Sequence, residues 1–264
     1  MRLQEYIIKN KEKILCVFCN IYGYDCYGKL ANRFDQIEFL FPNLQSEDYN
    51  KCLDEICYHP NNVESISETE INRKLKDSDE CGFFIPLLRK GENNDFTLHY
   101  FIIINSDSLD NSYENLDVVL FHELKHCLTY RVKIVESTPG NNITYHKSGF
   151  SIIKNEDTKV TLYYKLANEV LTQYDAENMV RYLHQFTEIL PGQQQKRIPD
   201  IWYQIHYKFL HKYFKNQWEN VRMLEMSSNI EVMLQGEYAQ LFNQIEQKMQ
   251  HPLVDIRSQL IKKR

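Results

Sequence analysis

The sequence predicts an α+β protein, with a small mixed or antiparallel sheet, a helix beside it, and further helices at both ends. Three observations predict it. Residues 81–105 and 132–165 are rich in Val, Ile, Thr, Tyr and Phe and broken by turn residues, as strands are. Leu116, Val118, Val119, Leu120, Phe121, Leu124 and Leu128 make one stretch between them a mostly apolar, buried helix. Residues 1–60 and 166–264 space their apolar residues at helical intervals. The expected organisation is a mainly helical N-terminal region over 1–80, a core over 81–190 and a helical C-terminal region over 191–264.

In chain order, Leu3, Tyr6, Ile7, Ile14, Leu15 and Phe18 predict a helix, and the apolar run FDQIEFLFPNLQ ends at Pro42. A short helix capped by Ser46 is expected over 46–58. The polar run 67–80 reads as a surface helix and loop whose charges form a solvated face. CGFFIPLLRK and FTLHYFIIIN, joined by GENND, predict a hairpin. Phe96, Leu98, Tyr100, Ile102 and Ile104 alternate with Thr97, His99, Phe101 and Ile103, so at least one face is buried, and His99 is expected on the solvent side.

After the loop at 105–112 comes the buried helix, with Asn111 or Ser112 as cap and Glu114 in its first turn. PGNN and KNEDTK then divide 132–165 into two or three short strands, a candidate flap. Leu166, Val170, Leu171, Tyr174, Met179, Leu183 and Phe186 predict the next helix. Beyond Pro191-Gly192 the chain is again helical. Trp202, Ile205, Phe209, Tyr213 and Trp218 form an aromatic stripe that suits a core, and His206 and His211 lack the spacing of paired ligands. There is no internal repeat.

Composition narrows the function classes. The chain has 264 residues, 43% hydrophobic and 25% charged, with a net charge of −5. Scattered Lys and Arg argue against a nucleic-acid partner, and the longest apolar runs are too short to span a membrane. The N-terminus has no signal-peptide pattern. With an odd count of seven cysteines, this predicts reduced thiols and a cytoplasmic location. Cys16 and Cys19 have metal-site spacing, with Cys26 or Cys52 as further donors. No second pair matches them, which favours buried small hydrophobes. Nothing in the sequence indicates an oligomeric state.

The chemistry concentrates in the buried helix, which carries His122-Glu123-Leu124-Lys125-His126. Four residues return to nearly the same helix face, so His122 and His126 point their imidazoles the same way, as two ligands of one metal must. Glu123 sits about 100° round, within reach of a metal-bound water without binding the metal. Polar groups in an apolar helix are costly unless something satisfies them. The bland alternative is a pair of hydrogen-bonded core histidines. A catalytic zinc usually takes three protein ligands. Glu169, 43 residues after His126 in the next apolar helix, is the candidate third. Tyr145 and His146 are weaker candidates for a catalytic role, since both also suit plain strand positions.

HELKH at 122–126 with NEVLTQ at 168–173 resembles the gluzincin branch of the zincin metallopeptidases, of which thermolysin is the best-known member. The match is nearer to small bacterial proteins with HELxH followed by NExxTE, and covers roughly residues 95–190. The resemblance implies a zincin-like catalytic core and a zinc-dependent peptidase. It also implies one Zn2+ per chain on His122, His126 and Glu169, Glu123 as general base, and Asn168 and Thr172 as supporting residues. The substrate would be a peptide or protein, held along strand 96–105 by strand addition. The chain departs from the pattern at Gln173, where relatives carry an acid that orients the first ligand histidine, and at Val170, where they often have a small residue. A Gln accepts a hydrogen bond without a full charge, which lowers ligand basicity. The alternative is therefore a zinc-stabilised binding or regulatory protein of peptidase fold without turnover.

Overall fold

The computed structural model describes residues 3–41, 46–63, 66–76, 82–93, 95–105, 116–138, 141–156, 159–183, 201–215 and 217–250. It is a mixed α+β structure with two small sheets. By contacts the chain divides into two units, Met1–Leu128 with Ala176–Arg197, and Thr129–Asp175 with Ile198–Arg264. The expected region boundaries after residues 80 and 190 lie outside the described residues, as do Pro42, Asn111, Ser112, Glu114, Phe186, Pro191 and Gly192.

In the first unit, α1 (Leu3–Tyr22) is followed by a 3-10 turn (Tyr24–Cys26) and α2 (Tyr27–Phe34). Then come β1 (Ile37–Leu40), α3 (Ser46–Tyr58), α4 (Glu68–Lys76), β2 (Gly82–Lys90), β3 (Phe96–Ile104) and α5 (Leu116–Thr129). The start of α4 is set by Ser67, whose Oγ accepts from the Glu70 amide at 3.1 Å. The sheet order is β1-β3-β2. The β2–β3 hairpin is as the sequence predicts, with Gly82 opposite Ile104 and Lys90 opposite Phe96. β1 is a departure: FDQIEFLF lies in a region expected to be helical, yet Ile37–Leu40 pairs parallel with Tyr100–Ile103. The four residues are too short to show a period, and their partner lies far along the chain.

β3 is thus the middle strand, and Ile102 and Ile103, on its opposite faces, are both fully buried, so both faces of the sheet are covered there. One face packs Phe83, Ile85, Phe101 and Ile103 against Leu53, Ile56 and Ile71 of α3 and α4. His99, expected on the solvent side, is half-buried, and burial together with the nearby Arg89 charge lowers its pKa.

In the second unit, β4 (Arg131–Thr138), β5 (Asn141–Ser148), β6 (Ser151–Glu156) and β7 (Lys159–Tyr163) form an antiparallel meander in sequence order, four strands where two or three are expected. α6 (Lys165–Leu183), α7 (Ile201–Phe214), α8 (Trp218–Met226), α9 (Ile230–Leu234) and α10 (Gly236–Gln250) follow. Phe150, Ile152, Val170, Leu171, Phe214 and Phe242 centre the core of this unit, with Tyr213 and Trp218 of the aromatic stripe packed on its margin.

Two features tie this unit together. Gly149 turns β5 into β6 at φ 56°, and a Cβ there would fall 2.2 Å from Asn168 Oδ1. The same oxygen accepts from the Phe150 amide at 2.8 Å. The second feature is a buried ionic group. Arg222 donates to both carboxylate oxygens of Asp175 at 2.5 and 2.6 Å and to Glu225 at 2.7 Å. Lys147 Nζ donates to the Glu225 carbonyl at 2.6 Å. Lys147 and Glu225 are fully buried, and burial pushes the Lys147 ammonium down to about 7.

Candidate metal centre

α5 carries His122 and Glu123 side by side and His126 one turn further on. His122 and His126 are half-buried and Glu123 is buried, 7% exposed. The two Nε2 atoms lie 3.0 Å apart, with the rings edge-to-face and their centroids 4.7 Å apart. That separation suits two ligands of one small ion. It is also the length of a simple N–H···N hydrogen bond between the rings, the plain structural alternative.

Two neighbours set the position of α5 in the first unit. Arg33 Nη1 donates to the Cys127 and Leu128 carbonyls, both at 3.4 Å, at the helix end where carbonyls lack intrahelical partners. Its guanidinium lies over the Tyr100 ring, 5.1 Å from the centroid. At the other neighbour, Gly82 of β2, a Cβ would fall 2.6 Å from Val119 Cγ1 and 3.4 Å from Glu123 Cγ. The missing side chain is what lets β2 approach the helix face that carries Glu123. A glycine inside a strand pattern signals such an approach; Arg33 gives no such signal in sequence.

One ligand atom from each of His122, His126 and Glu169 lies within 4.8 Å of the others. Among the described residues, this is the one group of three or more His, Cys, Asp or Glu side chains close enough to share an ion. Two imidazole nitrogens and a carboxylate form a donor set that zinc takes in hydrolases, where ligands bonded at about 2.1 Å sit about 3.4 Å apart. The residues present therefore fit zinc.

The remaining candidates have other surroundings. Asn168, 1% exposed, spends its oxygen on the Phe150 amide, a structural role in the β5–β6 turn. Thr172 is buried, and Gln173 is half-buried one turn after Glu169. Tyr145 and His146 point to opposite sides of β5, as successive strand residues must. Tyr145 packs against the core of its own unit. His146 is 8% exposed, and its Nδ1 lies 2.5 Å from the Tyr130 hydroxyl, a partner that nothing in the sequence signals. Cys19 is buried and Cys16 exposed on α1, while Cys81 lies outside the described residues. No described helix is long and apolar enough to cross a membrane.

The expected substrate strand needs correction. Strand 96–105 cannot accept an added strand along Tyr100–Ile103, because β1 occupies one edge and β2 the other. Comparison with family models, with curated proteins and with solved structures finds no match.

Proposed function

We propose that this protein is a zinc-dependent peptidase with a zincin-like core, resident in the cytoplasm. The observation that carries the reading is the convergence of the His122 and His126 imidazoles with the Glu169 carboxylate within 4.8 Å. His122, His126 and Glu169 would hold the ion. A zinc bound there would supply a Lewis acid and lower the pKa of its water from near 16 to about 7. Glu123, adjacent to a ligand but turned about 100° from it, takes a proton from the attacking water and delivers it to the leaving amine. Its low exposure keeps bulk water from competing for that proton.

A peptide substrate is supported by the edge of β2. At its far end that edge meets the segment 61–63, where the Val63 amide donates to the Leu88 carbonyl at 2.8 Å and the Lys90 amide to the Asn61 carbonyl at 2.9 Å. Alternation puts the outward groups of Gly82 and Pro86 on that same edge, with Pro86 contributing a carbonyl only. An extended peptide added there would run past Gly82, which lies against Glu123.

Gln173 supports a second reading. If relatives need an acid there, a neutral amide favours a zinc-holding binding module without turnover. One experiment separates the two. Metal analysis of wild type should give about one zinc per chain, and a peptide library should be cut. Glu123→Gln should keep the zinc and lose the cleavage. Cleavage surviving in that variant removes Glu123 from its role. Zinc without cleavage by wild type selects the binding module, and wild type without zinc removes both.

A further inference from the structure

β7 ends its sheet, and among the described residues no strand pairs with its outer edge. Val160 is 70% exposed, Leu162 49%, and Ile153 on the adjacent strand 38%. Ile153 lies opposite Leu162 and Asn155 opposite Val160, so all four share one face, an uncharged and mainly apolar strip beside an open edge. Proteins protect such edges with charge, proline or a bulge. β7 has one charged residue, Lys159, at its first position and on the other face.

The geometry points to a second copy of this chain as the occupant, with β7 pairing antiparallel to β7 of the copy about a two-fold axis at Thr161. The strand is complementary to itself in that register. Val160 meets Leu162 of the copy twice, so two apolar pairs extend the strip across the axis. Lys159 meets Tyr163 of the copy at each end, so no like charges face each other. Thr161 meets itself on the axis. Every pair joins residues of the same parity, so outward backbone donors and acceptors match along the strand. A slip of one residue would turn the apolar side chains of one copy to the opposite face and break the strip. A two-fold pairing of this kind closes on itself and forms a dimer, not a fibre.

The test uses the full chain, with mass measured by light scattering or sedimentation across the micromolar range. Wild type should be a dimer. V160E/L162E places carboxylates opposite carboxylates in this register and should be monomeric. V160K/L162E places ammonium opposite carboxylate at the same two pairs and should restore the dimer. All the replaced side chains are exposed, and circular dichroism melting checks that each variant is folded. Thr161→Cys gives a readout independent of those charges. Paired residues on neighbouring antiparallel strands have Cα atoms about 4.5–5.5 Å apart, within disulfide range, so mild oxidation should yield a covalent dimer whose bridge joins the two residues at 161, located by peptide mass mapping before and after reduction. A monomeric wild type overturns the inference, including the case where some other peptide binds the strip. So does a V160E/L162E variant that stays dimeric, a folded V160K/L162E variant that stays monomeric, or failure of the Thr161→Cys variant to cross-link.

Discussion

Gly82 lies against Val119 so closely that a Cβ at the glycine would fall 2.6 Å from Val119 Cγ1 and 3.2 Å from the Ile103 carbonyl oxygen. Val119 is stiff at χ1 and the carbonyl belongs to the sheet, so neither can yield cheaply. Gly82→Ala should therefore destabilise the protein by about 1–3 kcal/mol, although alanine is the better residue for a strand interior. Denaturant melts check this. Adding Val119→Ala should recover much of the loss, since it removes the methyl nearest the new Cβ. A double variant no more stable than Gly82→Ala would count against the contact.

Arg33 closes the last turn of α5 by donating to the Cys127 and Leu128 carbonyls. Arg33→Ala should lower stability by about 1–2 kcal/mol, because both carbonyls lose a cationic donor at a helix C-terminus. Arg33→Lys should recover only part, since an ammonium cannot keep the planar stacking on Tyr100. Equal stability of the three proteins in denaturant would remove the assigned role.

Under the proposed zinc reading, Gln173 stands one turn after Glu169, where the gluzincin resemblance implies an acid that orients a ligand histidine. Gln173→Glu should tighten zinc binding by about tenfold, measured by competition with a chromophoric chelator. No change would place the Gln173 side chain out of contact with the ligands.

Lys147 predicts a pH-dependent stability with a definite sign. Burial lowers its pKa from 10.5 to about 7, with Glu225 raising it and Arg131 lowering it further. Between those values the unfolded chain binds more protons than the folded one, so stability rises with pH across that window. The cost is full below about 7 and relieved above about 10.5. Lys147→Met should flatten this rise. Denaturant midpoints for both proteins across the window check it, and identical pH profiles would refute it.

The helix holding His122, Glu123 and His126 was legible in sequence because helical periodicity is local: four residues of spacing already set the shared direction of two imidazoles. The β2–β3 hairpin and the α3 helix were legible for the same reason, each resting on a period contained within its own residues. β1 was not, since four residues show no period and the strand exists only through its parallel partner. The central place of β3 depends on β1, so that place also escaped the sequence. Lys147, Arg222, Asp175 and Glu225 read as ordinary charges along the chain; only packing of β5, α6 and α8 puts them together away from water. Sequence alone determined which side chains could serve as ligands and which way two of them face. Tertiary structure alone decides whether a carboxylate 43 residues on can share an ion with them, because an encounter across that span depends on how every intervening element packs, and no local pattern encodes that.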